Sequence, residues 1–190
     1  MANGDTKLNI CSRALFAIGA DEITSFEDGT IESRISKAKY DIAKQDLLSI
    51  YFWTFALKET YIARVSDTDN LKLYKYLYQL PNDCLRVITI RDGNIKNIPY
   101  TFRNSKINTD LEQPILQYIS DVDEAVMPSY FVNLLINRLA RDILIPITAK
   151  NDDYALFENI YQQNLTTAKH ADAQTKTVSI MDTSRLLRVR

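Results

Sequence analysis

Apolar residues recur at steps of three and four through the first fifty positions, at steps of two through the middle, and at helical steps again after residue 120. From Asp5 to Ile18, a stripe of Leu8, Cys11, Leu15 and Ile18 followed by Gly19 predicts an amphipathic helix with a left-handed stop. Asp28-Gly29-Thr30 marks a turn, and Thr30 is placed to cap a second helix by accepting a backbone N–H. That second helix is the clearest element. Ile31, Ile35, Ala38 and Ile42 line one row, and Ala43, Leu47 and Ile50 extend the apolar face beside it as far as Tyr51 or Phe52.

From Trp53 the period changes. Phe55 to Val65 and Tyr74 to Tyr78 place apolar or aromatic residues at every second position, which is strand spacing. Pro81-Asn82-Asp83 breaks the chain before a strand from Leu85 to Arg91. Asp92-Gly93-Asn94 is a hairpin turn signal, and Pro99 argues that the next strand lies at a sheet edge. Two shorter runs, Ile107 to Leu111 and Ile115 to Ile119, flank Pro114. Together they predict one small antiparallel sheet between helices.

Helical spacing returns after Asp121-Val122-Asp123-Glu124, where acids suit a helix N-terminus and Pro128 suits the first turn. Phe131, Leu135, Leu139 and Ile143 form the expected buried row, which Pro146 should end or kink. Asn151-Asp152-Asp153 offers caps for a fourth helix carrying Tyr154, Phe157, Ile160, Tyr161, Leu165 and Ala168. The fold class expected is mainly α with a β insertion (α+β). In it, residues 1–53 and 121–174 form a four-helix bundle, 54–120 a β-rich insertion, and 175–190 an extended C-terminal tail. Neither helix pair has a second apolar layer of its own, so the pairs should pack together.

Composition narrows the function more than the fold. The 190 residues carry 23 Lys and Arg against 24 Asp and Glu, so the average field gives no push toward nucleic acid or an anionic membrane. No stretch reaches the roughly 18 uninterrupted apolar residues of a membrane span, and no signal peptide is legible, so synthesis and folding in a cytoplasm are expected. The two cysteines, Cys11 and Cys84, have no ligand-spaced partner and read as reduced small hydrophobes.

Enzymatic motifs do not emerge. The four glycines form no phosphate-cradling loop or nucleophile elbow, and the single histidine, His170, sits on a polar stretch where a solvated surface role outweighs catalysis. Asp121, Asp123 and Glu124, and also Asp152 and Asp153, have the chemistry for a divalent cation or for hydrolysis, but both clusters fall where helix caps are expected. No metal or cofactor is expected. Asp46 is odder, lying mid-helix, and surface exposure is the state expected of it, with Arg13, Lys44 or a neighbouring subunit as candidate partners. Tyr51, Phe52, Trp53, Phe55, Tyr74, Tyr76 and Tyr78 suit packing better than base stacking, because only Lys72 and Lys75 lie beside them. The tail combines Leu186, Leu187 and Val189 with Arg185, Arg188 and Arg190. These six are the candidate partner-binding residues, favoured as a segment that orders on a protein partner over one that grips DNA phosphates.

The order of features carries a resemblance. Leu8-Asn9-Ile10-Cys11-Ser12-Arg13-Ala14-Leu15 with Ile18-Gly19, then Ile23-Thr24-Ser25-Phe26, precede a long helix ending at Tyr51-Phe52-Trp53-Thr54-Phe55-Ala56. Tyr76 to Val87, with its Leu80-Pro81, Asp83, Cys84 and Leu85-Arg86, follows, and then Phe131 to Thr148 with Leu139-Ala140 and Ile145-Pro146-Ile147-Thr148. This series, covering most of the chain to about Ala173, resembles the tail tubular protein A family of short-tailed phages. The resemblance implies a non-enzymatic virion protein at the head–tail junction. It would be a head-to-tail adaptor forming a twelve-fold ring, with the portal protein above, a tail or nozzle protein below, and DNA passing through the lumen without specific binding. It carries no catalytic residues over. A DNA-binding module using the basic tail is the rival reading, and a hydrolase using the acidic clusters a third.

Overall fold

A computed structural model describes residues 5–65, 74–93, 95, 98–149 and 151–175. The fold is mixed α+β, with four α-helices and two small antiparallel sheets among the described residues. Helix α1 (Lys7–Ala17) is capped by Thr6, whose hydroxyl accepts the Asn9 N–H at 3.3 Å, and it ends where Gly19 takes a φ of 74°. Helix α2 (Ile31–Ile50) is capped by Thr30 in the same way, the Ser33 N–H reaching its hydroxyl at 3.2 Å. Helix α3 (Ser129–Thr148) buries Phe131, Leu135, Leu139 and Ile143 as their spacing requires, and α4 (Tyr154–Thr175) closes the described chain.

Helix α3 packs against α1, α2 and α4. Residues from all four helices meet in one apolar core, including Ile10 and Leu15 of α1, Tyr40 and Leu47 of α2, Leu135 and Leu139 of α3, and Tyr161 and Ala168 of α4.

The strands form two sheets where the sequence predicts one. The first has the order β1 (Leu57–Tyr61), β6 (Ile115–Ser120), β3 (Cys84–Arg91), with Leu57 opposite Ile119 and Tyr61 opposite Ile115. The second has the order β2 (Tyr76–Gln79), β5 (Lys106–Thr109), β4 (Thr101–Arg103). Asp92 and Ile95 exchange backbone hydrogen bonds of 3.0 and 2.9 Å around Gly93, so the turn forms. It does not join neighbouring strands, because β3 pairs with β6 and the chain passes on to β4 in the other sheet. There β4 is an edge strand, as Pro99 predicts. A second core, with Tyr78, Ile90, Ile107, Leu116 and Tyr118, fills the strand region, while Ala56 and Ile119 belong to the helical core.

Three other expectations change. The acids at 121–124 do not open α3: a 3-10 turn, Glu124–Val126, comes first, and Pro128 sits just before the helix rather than inside its first turn. Pro146 is tolerated within α3, which runs two residues further before Ala149 turns left-handed at φ 55° and donates to the Ile145 carbonyl at 3.0 Å. Most consequentially, the row expected to bury α2 faces outward. Ile31 and Ile42 are 62% and 59% exposed, and Ala38 is exposed with them, while Ile35 is half-buried against the helical core. Of the residues expected to extend the face, Ala43 and Leu47 are buried and Ile50 is exposed, and Ser33, Ser36, Tyr40 and Leu48 complete the buried side. At about 100° per residue the outward row spans roughly 60°, and the buried row is centred roughly 165° away. Helix α2 thus carries apolar residues on two sides, and among the described residues one side is buried while the other is covered only in part, at Ile35.

Candidate interaction surfaces

Of the residues singled out for chemistry, the acids around 121–124 are engaged in building the fold. Lys44, only 9% exposed, reaches Asp121 at 3.0 Å and Glu124 at 3.6 Å, and the Tyr40 phenol donates to Glu124 at 2.8 Å. Burial and then that bond to Glu124 hold Tyr40 well above the usual tyrosine range. Asp123 precedes the 3-10 turn, and its carbonyl accepts the Val126 N–H. Asp152 and Asp153 are exposed, with the Asp153 carbonyl accepting the Phe157 N–H at the start of α4. His170 is exposed on α4. Among the described residues no three metal-ligand side chains come together, and no helix is long and apolar enough to cross a membrane. Cys11 and Cys84 are free thiols, and burial pushes them up to about 12 and about 11. Arg185, Leu186, Leu187, Arg188, Val189 and Arg190 lie outside the described residues.

The aromatic set packs. Trp53 is fully buried, edge-on to Tyr51 at 4.9 Å and Phe131 at 5.1 Å, and its indole N–H donates to the Leu47 carbonyl at 2.7 Å. Phe52 lies under the Arg86 guanidinium at 4.5 Å, and the Tyr78 phenol donates to the Leu111 and Glu112 carbonyls.

Asp46 finds neither Arg13 nor Lys44. It pairs with Arg138 of α3 at 3.2 Å, opening a charge chain in which Arg138 and Arg141 share Asp142 and Arg141 reaches Glu158 of α4 at 2.9 Å. Burial works against both guanidiniums, but the bonds to Asp142 outweigh it, so both stay above the ordinary arginine range. The chain borders a groove of about 460 Å³ among α2, α3 and α4, lined by Ile42, Arg138, Arg141, Ile145, Pro146 and Tyr154, with exposed Lys39 also lining it. Ile42, Ile145 and Tyr154 are 59%, 42% and 40% exposed. The outward row of α2 runs into this groove.

A second groove, of about 480 Å³, lies between α1 and α3, lined by Asp5, Arg13, Phe16, Glu22 and Ile136 among others. Phe16 stands 71% exposed at its side, the most exposed large apolar residue among those described. The Arg13 guanidinium holds this groove together by donating to Asn133 of α3 at 3.2 Å and approaching Asp5 at 3.5 Å. On α3, Ile136 is between about 120° and 180° away from Arg138, Arg141, Asp142 and Ile145. The two grooves therefore open on opposite sides of the same helix.

No family model matches the chain, and a search of curated proteins found no match either. The exposed apolar surfaces that sequence reading missed are the outward α2 row and the Phe16 knob. The signal for the first was present in the second stripe, Tyr40, Ala43, Leu47 and Leu48, which leaves two candidates for one buried side. Phe16 falls between the residues of the α1 stripe and had no pattern to reveal it.

Proposed function

We propose that this chain is a structural head-to-tail adaptor of a tailed phage. In this reading its helices form a four-helix bundle that takes its place in a ring beneath the portal, and the strand unit meets a tail component below. The ring, of twelve copies if the family resemblance carries over, leaves a channel through which DNA slides without specific binding. The observation that carries the reading is that early and late helices share one core while the strands attach at one end of it. That end is marked by Arg86 of β3 donating to the Ser49 carbonyl near the end of α2, and by Thr54 bonded to Asp172 near the end of α4. A near-neutral composition suits a conduit, since each firmly held phosphate adds affinity and so friction. Exposed apolar residues on separate faces suit a subunit with neighbours on both sides.

Electron microscopy of the purified chain mixed with portal tests this directly. The expected result is ring density stacked coaxially on the portal. A chain that never associates with portal, by microscopy or by light scattering, would overturn it.

A further inference from the structure

We propose that copies of this chain associate head to tail, with Phe16 of one copy seated in the α2–α3–α4 groove of the next, against Ile42, Ile145 and Tyr154. Ile31 and Ile42 stand 62% and 59% exposed on the side of α2 away from the helical core, and apolar residues gathered on an exposed face mark interaction sites. The groove beside them is lined by Ile42, Ile145, Pro146 and Tyr154 together with charged Lys39, Arg138, Arg141 and Asp142. Arg138 and Arg141 are satisfied by Asp142, Glu158 and Asp46, which leaves Lys39 as the exposed cation lining it.

The α1–α3 face has the complementary features. Phe16 protrudes as a single aromatic, a side chain type that buries roughly 150–250 Å² when covered. Asp5 and Glu22 line the groove at its foot, two acids against one Arg13. A protruding ring flanked by carboxylates matches a partly apolar groove with a lysine at its side. Because the two faces lie on opposite sides of α3, a pair of copies cannot satisfy both at once. One knob and one groove remain free, and the contact propagates until it closes as a ring or continues as a filament. The inference rests on the adaptor reading only for closure into a ring.

Sedimentation velocity on the full chain and two variants is the test. The wild type is expected to form concentration-dependent species larger than a dimer. Phe16→Asp and Ile42→Asp, both at exposed positions, are each expected to weaken self-association by roughly 30-fold, the size of a lost anchor residue. An equimolar mixture of the two should form a dimer and stop there, because the intact knob of one enters the intact groove of the other while the remaining faces are blocked. If an Asp variant melts below the wild type, Phe16→Ser and Ile42→Ser serve in the same design. The proposal is overturned if the wild type stays monomeric at millimolar concentration, if either variant assembles like the wild type, or if two normally folded variants fail to pair. A paired dimer together with no portal binding by the wild type would uphold this contact and sink the adaptor reading.

Discussion

The carboxylate of Asp172, fully buried on α4, accepts the Thr54 backbone N–H at 2.9 and 3.1 Å and the Thr54 hydroxyl at 3.0 Å, joining residues 118 positions apart in sequence. The Tyr130 phenol donates to the same carboxylate at 2.9 Å. Burial and then this bond hold Tyr130 above the usual tyrosine range. The last helix is thereby tied both to the 3-10 turn (Thr54–Ala56) that leads into β1 and to the first turn of α3. Asp172→Ala leaves these donors facing a void and is expected to cost about 3 kcal/mol. Asp172→Asn keeps the shape but turns an N–H toward a donor, so it should fall between. Urea midpoints check the order, and an Asp172→Ala midpoint no lower than that of exposed Asp152→Ala would refute it.

The outward face of α2 gives a sharper contrast. Ile42→Ser and Ile31→Ser are expected to leave monomer stability within about 0.5 kcal/mol of wild type, as at other exposed sites. Leu47→Ala and Leu48→Ala, both fully buried, should cost about 2–5 kcal/mol. Denaturation at low concentration separates folding from association, and a large loss at Ile42 there would mean the sequence-predicted row is the core row after all.

That contrast shows where sequence reading works and where it stops. Caps are local chemistry, so Thr30 and Gly19 were legible from their neighbours alone. The α3 row was legible because its neighbouring apolar row, Val132, Ile136, Ala140 and Leu144, adjoins it and is buried with it, so every apolar stripe points to one side. On α2, periodicity gives two stripes and does not say which is covered inside the chain, since that depends on Tyr40, Ala43 and Lys44 meeting residues about eighty positions away. Division of the strands into two sheets is also non-local: β3 and β6 pair across more than twenty residues, and no turn signal encodes that. Asp172 was invisible because a single acid in a polar helix end carries no pattern until Thr54 is placed beside it.

Titration should narrow the stable range at both ends. Burial opposes ionisation of Asp83, but Lys58 at 2.8 Å and the Tyr118 phenol at 3.1 Å outweigh it and lower its carboxyl below the ordinary 3.8. Its contribution is present above that value and is lost as pH falls through the lower folded value. The alkaline side has the opposite sign. Burial raises Cys11 from 9.0 to about 12, and burial with the Asp83 bond raises Tyr118 from 10.0 to about 12. Stability held by keeping these groups protonated is intact below 9 and declines as pH climbs toward 12. Denaturant midpoints from pH 8 to 11 should fall, and Cys11→Ala should fall less steeply. Parallel slopes for the two proteins would rule out the thiol as a source.

Trp53, the single tryptophan, sits where the helical core meets the start of the strand unit and offers the most direct report on that junction. Its ring is enclosed by Tyr51, Phe55, Tyr130 and Phe131, and its N–H is spent on the Leu47 carbonyl at the end of α2. Native emission should therefore be blue-shifted and should move red in the same transition that melts the helices, because one core binds α2, α3 and the Thr54–Ala56 turn. Trp53→Phe keeps an aromatic but loses the hydrogen bond and leaves unfilled volume, for a cost of about 2–3 kcal/mol. Asp172→Ala, acting one residue away through Thr54, should shift the emission of the native state without exposing the ring. A tryptophan transition that precedes loss of helical circular dichroism would show that the junction opens separately, and the strand unit would then have to be treated as hinged on the helices rather than built into their core.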